Sequence, residues 1–373
     1  HSHDPNLALD AGSASDIERQ TISWLGEFLG YHNAQGFFTS GGTVSNLTAL
    51  AAAREKALPQ SRSTGMGSHT LALYCSAEAH YSVTRAAEIL GIGGNNVRSI
   101  DIDSQRRLKP DALARAIEID RSAGVIPMAV VATAGTTLTG AVDPIGEIAD
   151  ICGDIWLHVD GAYGLPAAAT HSAGSLFAGL DRADSLSIDA HKWLFVPKAC
   201  SALLVKKPEL LARAFSHNEA YIPHEHGDTN AVDVTLEYSR PLRALKLWLA
   251  FKVHGAQGMR DGVDANLAQA QLLYTLAHSA PDFDVLESIP QLSTVPLRHV
   301  PQSISAADSS RINAHNAALQ LALVADGRIY ISPAQIDGNT WLRPCFTNFR
   351  TTNADVQVAF DVIREVSNAL ASA

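Results

Sequence analysis

Residues 155–164 have the sequence Ile-Trp-Leu-His-Val-Asp-Gly-Ala-Tyr-Gly, a short apolar run that ends in an acidic residue and a turn. Residues 185–193, Ser-Leu-Ser-Ile-Asp-Ala-His-Lys-Trp, have the same arrangement. Such short apolar runs are typical of buried strands. Others lie at 70–75, 97–100, 128–132 and 202–205. Because helical segments lie between several of these runs, the pattern predicts a mostly parallel sheet covered by helices.

The chain after Leu204 has a different pattern. Residues 216–239 are polar and lack a clear period, and a loop of that length is usually functional or mobile. Residues 242–278 have a helical pattern, and the tail that follows predicts two strands, a helix, two strands and a final helix. We therefore predict a large domain over residues 1–269 and a small α+β domain over residues 270–373.

Composition excludes several classes of protein. The 373 residues are 46% hydrophobic and 18% charged, as in a folded globular protein, and the net charge is −10. That acidic balance argues against nucleic acid or an anionic membrane surface as a partner. No apolar run approaches the about 20 residues that a membrane-spanning helix needs. The four cysteines form no Cys-x-x-Cys pair, which argues against a disulfide framework or a zinc site and favours a cytoplasmic location.

Reactive side chains follow the predicted strands. Ligands of parallel sheets bind at the carboxyl ends of the strands, where Asp160, Lys192 and Thr133 lie. The turn at residues 40–43, Ser-Gly-Gly-Thr, precedes a helix and can hold a phosphate. Alone, each feature has an ordinary explanation as a turn, a solvated surface residue or a helix cap. Together they suit a phosphorylated aldehyde cofactor with a basic ring nitrogen.

Several blocks of sequence carry a family resemblance. In chain order they are Thr-Ser-Gly-Gly-Thr-Val-Ser-Asn-Leu at 39–47, Glu-Ala-His-Tyr-Ser at 78–82, Thr-Ala-Gly-Thr-Thr at 133–137, His-Val-Asp-Gly-Ala-Tyr at 158–163, Asp-Ala-His-Lys-Trp at 189–193, Leu-Lys-Leu-Trp at 245–248, Trp-Leu-Arg at 341–343 and Asn-Phe-Arg-Thr-Thr at 348–352. With them the chain resembles the group II pyridoxal-phosphate decarboxylases, the family of the aromatic L-amino-acid decarboxylases. The resemblance implies an α/β fold of the type I aminotransferase-like kind, with a mostly parallel seven-stranded sheet, helices on both faces and a small C-terminal α+β domain.

The resemblance also implies roles around the cofactor. Lys192 matches the lysine that holds pyridoxal phosphate as an aldimine, and Asp160 matches the carboxylate that pairs with the pyridine nitrogen. A buried anion raises the pKa of that nitrogen, so the protonated ring can accept electrons. His80 matches the histidine stacked on one ring face, near the substrate, and Ala162 matches the small residue on the other face.

Further positions of the family motifs concern the phosphate, the substrate and the proton. The phosphate-binding positions match Gly42, Thr43, Asp189 and His191. Thr133 matches a threonine close to cofactor and substrate, and Arg343 matches an arginine of the substrate site. Tyr221 falls where the family has the tyrosine that protonates the substrate carbon after carbon dioxide leaves.

The resemblance predicts decarboxylation of an L-amino acid, through a quinonoid, to the amine and carbon dioxide, in a homodimer that completes the site. Trp193 and the overall pattern favour an aromatic substrate. One alternative is an aldehyde synthase, against which Tyr221 counts, and another is a non-catalytic paralogue that binds the cofactor. No metal is expected, because a polar loop explains the spacing of His224 and His226.

The chain departs from the family in two places. Asp189-Ala190 stands where many members have Asn-Pro, and the carboxylate is electrostatically awkward beside a phosphate. Family members also have a further N-terminal arm before the position of Leu7, which wraps the partner subunit and lines the substrate pocket. We expect a site without that arm to be open to water and slower.

Overall fold

The structure, a computed structural model, describes residues 8–217 and 231–371. These residues form two compact units. The first comprises the described residues up to Gly135 and Val142–Arg260, and the second comprises Thr136–Ala141 and the described residues from Asp261 onward. The domain boundary expected near residue 270 stays a prediction.

A seven-stranded sheet forms the centre of the first unit. Its strands are β1 (Gln35–Thr39), β2 (Leu71–Ser76), β3 (Val97–Ile100), β4 (Ile126–Thr133), β5 (Trp156–Asp160), β6 (Ser185–Asp189) and β7 (Ser201–Val205). They lie in the order β1-β7-β6-β5-β4-β2-β3. Only β7 runs antiparallel to its neighbours, β1 and β6, so the expected mostly parallel sheet is confirmed.

Helices connect these strands. They are α1 (Ala8–Leu29), α2 (Gly42–Ala57), α3 (Ser61–Thr64), α4 (Ser82–Ile89), α5 (Pro110–Ser122), α6 (Ile145–Cys152), α7 (Ala190–Trp193), α8 (Pro208–Phe215) and α9 (Ala231–Val234). Pro110 begins α5, a position where its missing N–H costs no helical hydrogen bond. A longer segment, α10 (Ala244–His278), is interrupted at Gly255, whose φ of 66° is the left-handed region that favours glycine.

Small side chains allow α2 to pack closely on the sheet. Ala49, Ala52 and Ala53 are completely buried in one core cluster with Leu73 of β2 and Val131 of β4. Alanine favours a helix and needs little room. This packing fixes the start of α2, which carries the Gly-Gly-Thr turn of the predicted site.

The second unit has its own sheet and core. Four antiparallel strands, in the order β10-β11-β9-β8, are β8 (Phe283–Val285), β9 (Leu297–His299), β10 (Ser332–Ile336) and β11 (Asn339–Arg343). Its helices α11 (Ser309–Asp326) and α12 (Asn353–Ala371) complete the predicted order of strands and helices. Phe360 and Ile363 of α12 lie in the core with Leu319 and Leu323 of α11, which is the apolar face expected of an amphipathic helix.

One strand escaped the sequence pattern. β1 lies at the sheet edge, paired with β7, and Gly36 in it has a φ of 149°. A Cβ at Gly36 would lie 1.9 Å from the carbonyl oxygen of Leu203, so the pairing needs glycine there. Among the described helices of both units, none is long and apolar enough to cross a membrane.

Candidate active site

Three neighbouring parallel strands end together at one edge of the large sheet. Thr133, the last residue of β4, pairs in register with Asp160, the last residue of β5. Asp160 pairs in turn with Ser187 of β6, which ends at Asp189. Parallel register thus brings side chains from distant parts of the sequence to the edge where ligands of such sheets bind.

Asp160 is a buried carboxylate surrounded by hydrogen-bond donors. Its side chain accepts from Asn46 Nδ2 at 2.7 Å, from the Ala162 N–H at 3.1 Å and from the Ser187 hydroxyl at 3.2 Å. Only 6% of the residue is exposed. Because all three partners donate, the arrangement suits an anion, and burial is tolerated where a charge is so compensated.

Lys192 lies on the single turn α7, directly after β6. Its Nζ is 3.1 Å from Asp189 Oδ2, and 44% of its side chain is exposed. The Asp189 N–H donates to the Ala162 carbonyl, so the carboxylate is the group that Asp189 offers to Lys192. His191 Nδ1 contacts the backbone of Cys200 on the other side of α7. An amine is therefore held near the sheet edge by a buried anion.

The start of α2 is pressed against this edge. A Cβ at Gly42 would lie 3.0 Å from the Ala162 Cβ and 3.3 Å from both carboxylate oxygens of Asp189. The first N–H groups of a helix, here those of Gly42 and Thr43, have no partner within the helix and favour an anion. Glycine at position 42 keeps that space free of a side chain.

His80 stands beside the edge, just before α4. Its Nδ1 is 2.8 Å from the Ser82 hydroxyl and 3.3 Å from the Ser82 N–H. Burial lowers the pKa of His80, while the negative charge of Asp160 opposes that shift. The net direction favours the neutral imidazole, whose flat face suits contact with an aromatic ring.

Two buried polar atoms at this edge have no hydrogen-bond partner within the described part of the chain. Neither Thr133 Oγ1 nor Asp189 Oδ1 has a hydrogen bond to any described residue. Such atoms are rare in folded proteins and commonly contact a ligand or water. Pyridoxal phosphate requires a lysine amine, a buried carboxylate, a helix N-terminus for its phosphate, and polar side chains around the ring. This edge of the sheet has all of these groups, so the residues present fit the cofactor.

Two of the predicted positions are not among the described residues of the first unit. Tyr221 falls outside the described residues. Arg343 belongs to the second unit, where its guanidinium donates to the carbonyl of Thr137 at 3.0 Å. No cluster of metal-binding side chains occurs within residues 8–217 and 231–371.

Sequence reasoning missed three polar residues of the edge. Asn46 and Ser187 contact Asp160, and Ser82 contacts His80. A weak signal was available for Asn46, since an asparagine that is buried in an alanine- and leucine-rich helix needs a polar partner. Its partner could not be identified, because Asp160 is 114 residues away in the sequence.

Comparisons with known proteins identify the family. The model of the pyridoxal-dependent decarboxylase conserved domain matches residues 12–299. The chain is 34% identical to the aromatic-L-amino-acid decarboxylase of Bacillus atrophaeus over 94% of this chain and 73% of that protein. It is 35% identical to the acidic amino acid decarboxylase GADL1 of Bos taurus over 77% of this chain and 57% of that protein.

A solved structure agrees with this assignment. The crystal structure of Oryza sativa TDC with PLP and tryptamine superposes with a TM-score of 0.91 at 26% identity, covering 98% of this chain and 78% of that one. The expected fold, cofactor and class of reaction are thereby confirmed. The chain belongs to the pyridoxal-dependent decarboxylase family and is a pyridoxal-phosphate-dependent amino-acid decarboxylase.

Proposed function

We propose that this protein removes the carboxylate of an aromatic L-amino acid at the edge formed by β4, β5 and β6. The observation that carries the proposal is Asp160, a buried anion held by three donors beside the amine of Lys192. The relative from Bacillus atrophaeus supports the aromatic substrate, because it matches across 94% of the chain. The acidic amino acid decarboxylase relative matches across 77%.

Pyridoxal phosphate supplies, when bound, a ring that accepts the electrons of the breaking bond. Lys192 is the residue that would hold it covalently, and Asp160 would keep a proton on the ring nitrogen. The N–H groups of Gly42 and Thr43 would hold the phosphate with the help of His191. Asp189, the other expected phosphate-binding residue, has its N–H bonded to the Ala162 carbonyl and its carboxylate beside Lys192, so we assign it to the amine instead. Each of these roles is part of the proposal and rests on the positions of the residues at the carboxyl ends of β4, β5 and β6.

The remaining side chains orient the reacting groups. Asp189 Oδ2 accepts from the Lys192 ammonium and keeps that amine directed into the site. Thr133 Oγ1, buried and without a hydrogen bond to any residue that the structure describes, can donate to cofactor or substrate. His80 and Ala162 would cover the two faces of the ring, which excludes water from the bond that breaks.

Two further roles complete the proposal. Tyr221 would return a proton to the substrate carbon, and Arg343 would bind near the substrate. In a Tyr221→Phe enzyme dioxygen would oxidise the carbon that is no longer protonated, so the product should shift from the amine towards the aldehyde, with ammonia and hydrogen peroxide released. Unchanged amine release by that variant would remove the tyrosine from the proton-donor role.

We also propose that the protein works as a homodimer in the cytoplasm. Its four cysteines are free thiols, three of them buried, as is usual for a reducing compartment. Light scattering of the purified protein should give twice the monomer mass of 39.7 kDa. A monomer that is fully active would contradict the dimer.

The test of the function is product analysis. The protein, pyridoxal phosphate and a panel of aromatic, acidic and aliphatic amino acids are incubated together, and the products are identified by mass spectrometry. An aromatic amine, absent with Lys192→Ala, is the expected result. An amine formed only from an acidic amino acid would overturn the substrate proposal, and aldehyde from the unaltered enzyme would favour the synthase.

A further inference from the structure

A chain of buried hydrogen bonds leads to Asp160 from the opposite end of β5. It begins at Trp156, whose Nε1 is 2.8 Å from the Ser185 hydroxyl. Because an indole nitrogen can only donate, Ser185 Oγ must accept this bond. The one hydroxyl proton of Ser185 is then available for His158, whose Nδ1 lies 2.8 Å away.

This first step determines the state of the His158 ring. Since Nδ1 accepts from Ser185, a neutral ring carries its proton on Nε2. That nitrogen is 3.0 Å from Asn46 Oδ1 and donates to it. The ring is completely buried, and burial lowers the pKa of His158 to about 4, so the neutral form prevails at physiological pH.

The bond from His158 in turn fixes the amide of Asn46. With Oδ1 accepting from the ring, Nδ2 faces the other way and donates to Asp160 at 2.7 Å and to Ser82 at 3.0 Å. An amide turned over would place its oxygen against the Asp160 carboxylate, two acceptors in contact. Both amide protons are thus used, and both point away from His158.

A branch of the same chain reaches His80. Ser82 Oγ accepts from Asn46 and therefore donates to His80 Nδ1 at 2.8 Å. The Ser82 N–H, which can only donate, lies 3.3 Å from the same nitrogen. His80 consequently keeps its proton on Nε2. Water does not compete for these hydrogen bonds, because the residues that link Trp156 to Ser82 are each at most 1% exposed.

We propose that His158 is a positioning residue of the active site. It holds the Asn46 amide in the orientation that donates to Asp160 and, through Ser82, sets the tautomer of His80. The inference rests on the proposed pairing of Asp160 with the cofactor ring. His158 itself need not touch cofactor or substrate. Val159, the residue between His158 and Asp160 on β5, is fully buried in the core.

The first test uses the full-length protein labelled with ¹⁵N-histidine. Protonated and unprotonated imidazole nitrogens have distinct nitrogen chemical shifts, and the His158 signals are assigned by their loss in a His158→Gln variant. The expected result near neutral pH is a neutral ring with its proton on Nε2, with and without pyridoxal phosphate. A ring protonated on Nδ1, or a cationic ring, would overturn the proposal.

The second test measures the affinity for pyridoxal phosphate in two variants. His158→Gln keeps a side-chain donor for Asn46, whereas His158→Leu removes it and frees the amide to turn over. We expect the Leu variant to bind the cofactor about 10- to 100-fold more weakly, since a hydrogen bond to a charged group is lost. The Gln variant should stay near the unaltered protein and keep its absorbance spectrum.

The control is Tyr74→Phe, which removes another buried hydrogen bond of the same sheet, that from the Tyr74 hydroxyl to Asp120. It should lower stability without changing cofactor affinity. Equal affinity in the Leu and Gln variants would contradict the positioning role, and if the Leu variant does not fold the nitrogen shifts decide. Should Asp160→Ala bind the cofactor normally while His158 shows the expected tautomer, the proposed function fails and the hydrogen-bond chain stands.

Discussion

Each unit of the protein contains a buried histidine network, and the two are built differently. In the first unit the hydrogen bonds run from Trp156 through His158 to Asp160. In the second unit His299 Nδ1 is 3.2 Å from His315 Nε2 and 2.6 Å from the Ser367 hydroxyl. The hydroxyl is also 2.8 Å from His315 Nε2, so the three groups form a closed triangle.

The two networks differ in the groups that terminate their hydrogen bonds. An indole N–H can only donate and a carboxylate can only accept, so every proton between Trp156 and Asp160 has one place. In the triangle the Ser367 hydroxyl can donate to either ring, so its proton has two possible places, and the Asp282 carboxylate lies 3.5 Å from His299 Nε2. A series of hydrogen bonds that runs from a group that only donates to a group that only accepts fixes the orientation of every side chain in between. In the triangle each group can donate or accept, so its hydrogen bonds only hold the three side chains together.

Removing the acceptor end should have the largest effect. Asp160→Asn keeps the shape but offers an amide in place of the anion, so the ring nitrogen loses its counter-charge. We expect decarboxylation to fall by more than about 100-fold, the size typical of a lost electrostatic contact at a reacting centre. The measurement is kcat with the substrate identified by product analysis.

Asp160→Glu serves as the matched control, because it keeps the charge. It should retain more activity than Asp160→Asn even though its longer side chain fits less well. Equal losses in the two variants would mean that shape, and not charge, is what the site needs at this position.

Acid should destabilise both networks. Burial lowers the pKa of His299 to about 4, with a further contribution from the neighbouring His315, and it also lowers the pKa of His315. The unfolded chain therefore binds more protons than the folded one at pH values below about 6.5, and the free energy of unfolding decreases as the pH falls towards about 4. Each such histidine adds a slope of at most about 1.4 kcal/mol per pH unit.

Urea unfolding at a series of pH values measures this slope. His299→Gln should flatten it for the second unit, and His158→Gln should flatten it for the first. Stability that stays constant as the pH falls below about 6.5 would show that these rings are not held neutral by the fold.

The smallest expected effects come from one substitution in each of the two hydrogen-bond networks. Ser367→Ala opens the triangle and should lower the free energy of unfolding by about 1 kcal/mol, the net value of a hydrogen bond. Trp156→Phe removes the indole donor at the other end of the hydrogen-bond chain and should cost more, because the smaller ring also leaves a cavity in the core. Only Trp156→Phe should weaken pyridoxal phosphate binding, since only the network that contains Trp156 ends at Asp160 in the site.

Calorimetry gives the stability of both variants, and equilibrium dialysis gives their affinity for the cofactor. A loss of affinity in Ser367→Ala equal to that in Trp156→Phe would mean that general loosening of the fold, rather than direction, controls the site.

The fold was largely predictable because its signals are local. Six of the seven strands in the large sheet were expected from short apolar runs, each within two residues of its observed bounds at either end. β1 was missed, because its Gln-Gly-Phe-Phe-Thr sequence is short and interrupted by Gly36. Its place depends on pairing with β7, which no local pattern reveals.

The site was predictable only in part. Asp160, Thr133 and Lys192 follow strands directly, so the rule for parallel sheets finds them. His158 lies on the same face of β5 as Asp160, but it belongs to an apolar run, where it has no signal of its own. Its partner Asn46 lies 112 residues earlier in the sequence, and only the packing of α2 on the sheet brings them together.

The pairing of β1 with β7 has a consequence for synthesis. Gln35 pairs with Val205, so β1 leaves the ribosome long before its partner strand exists. During that interval Phe37 and Phe38, which are buried in the finished sheet, lack the cover that β7 provides. Long-range pairing of this kind slows folding and exposes apolar segments to aggregation. We therefore expect residues 35–39 of the nascent chain to stay open to added protease until β7 has been translated, and to become protected once it has.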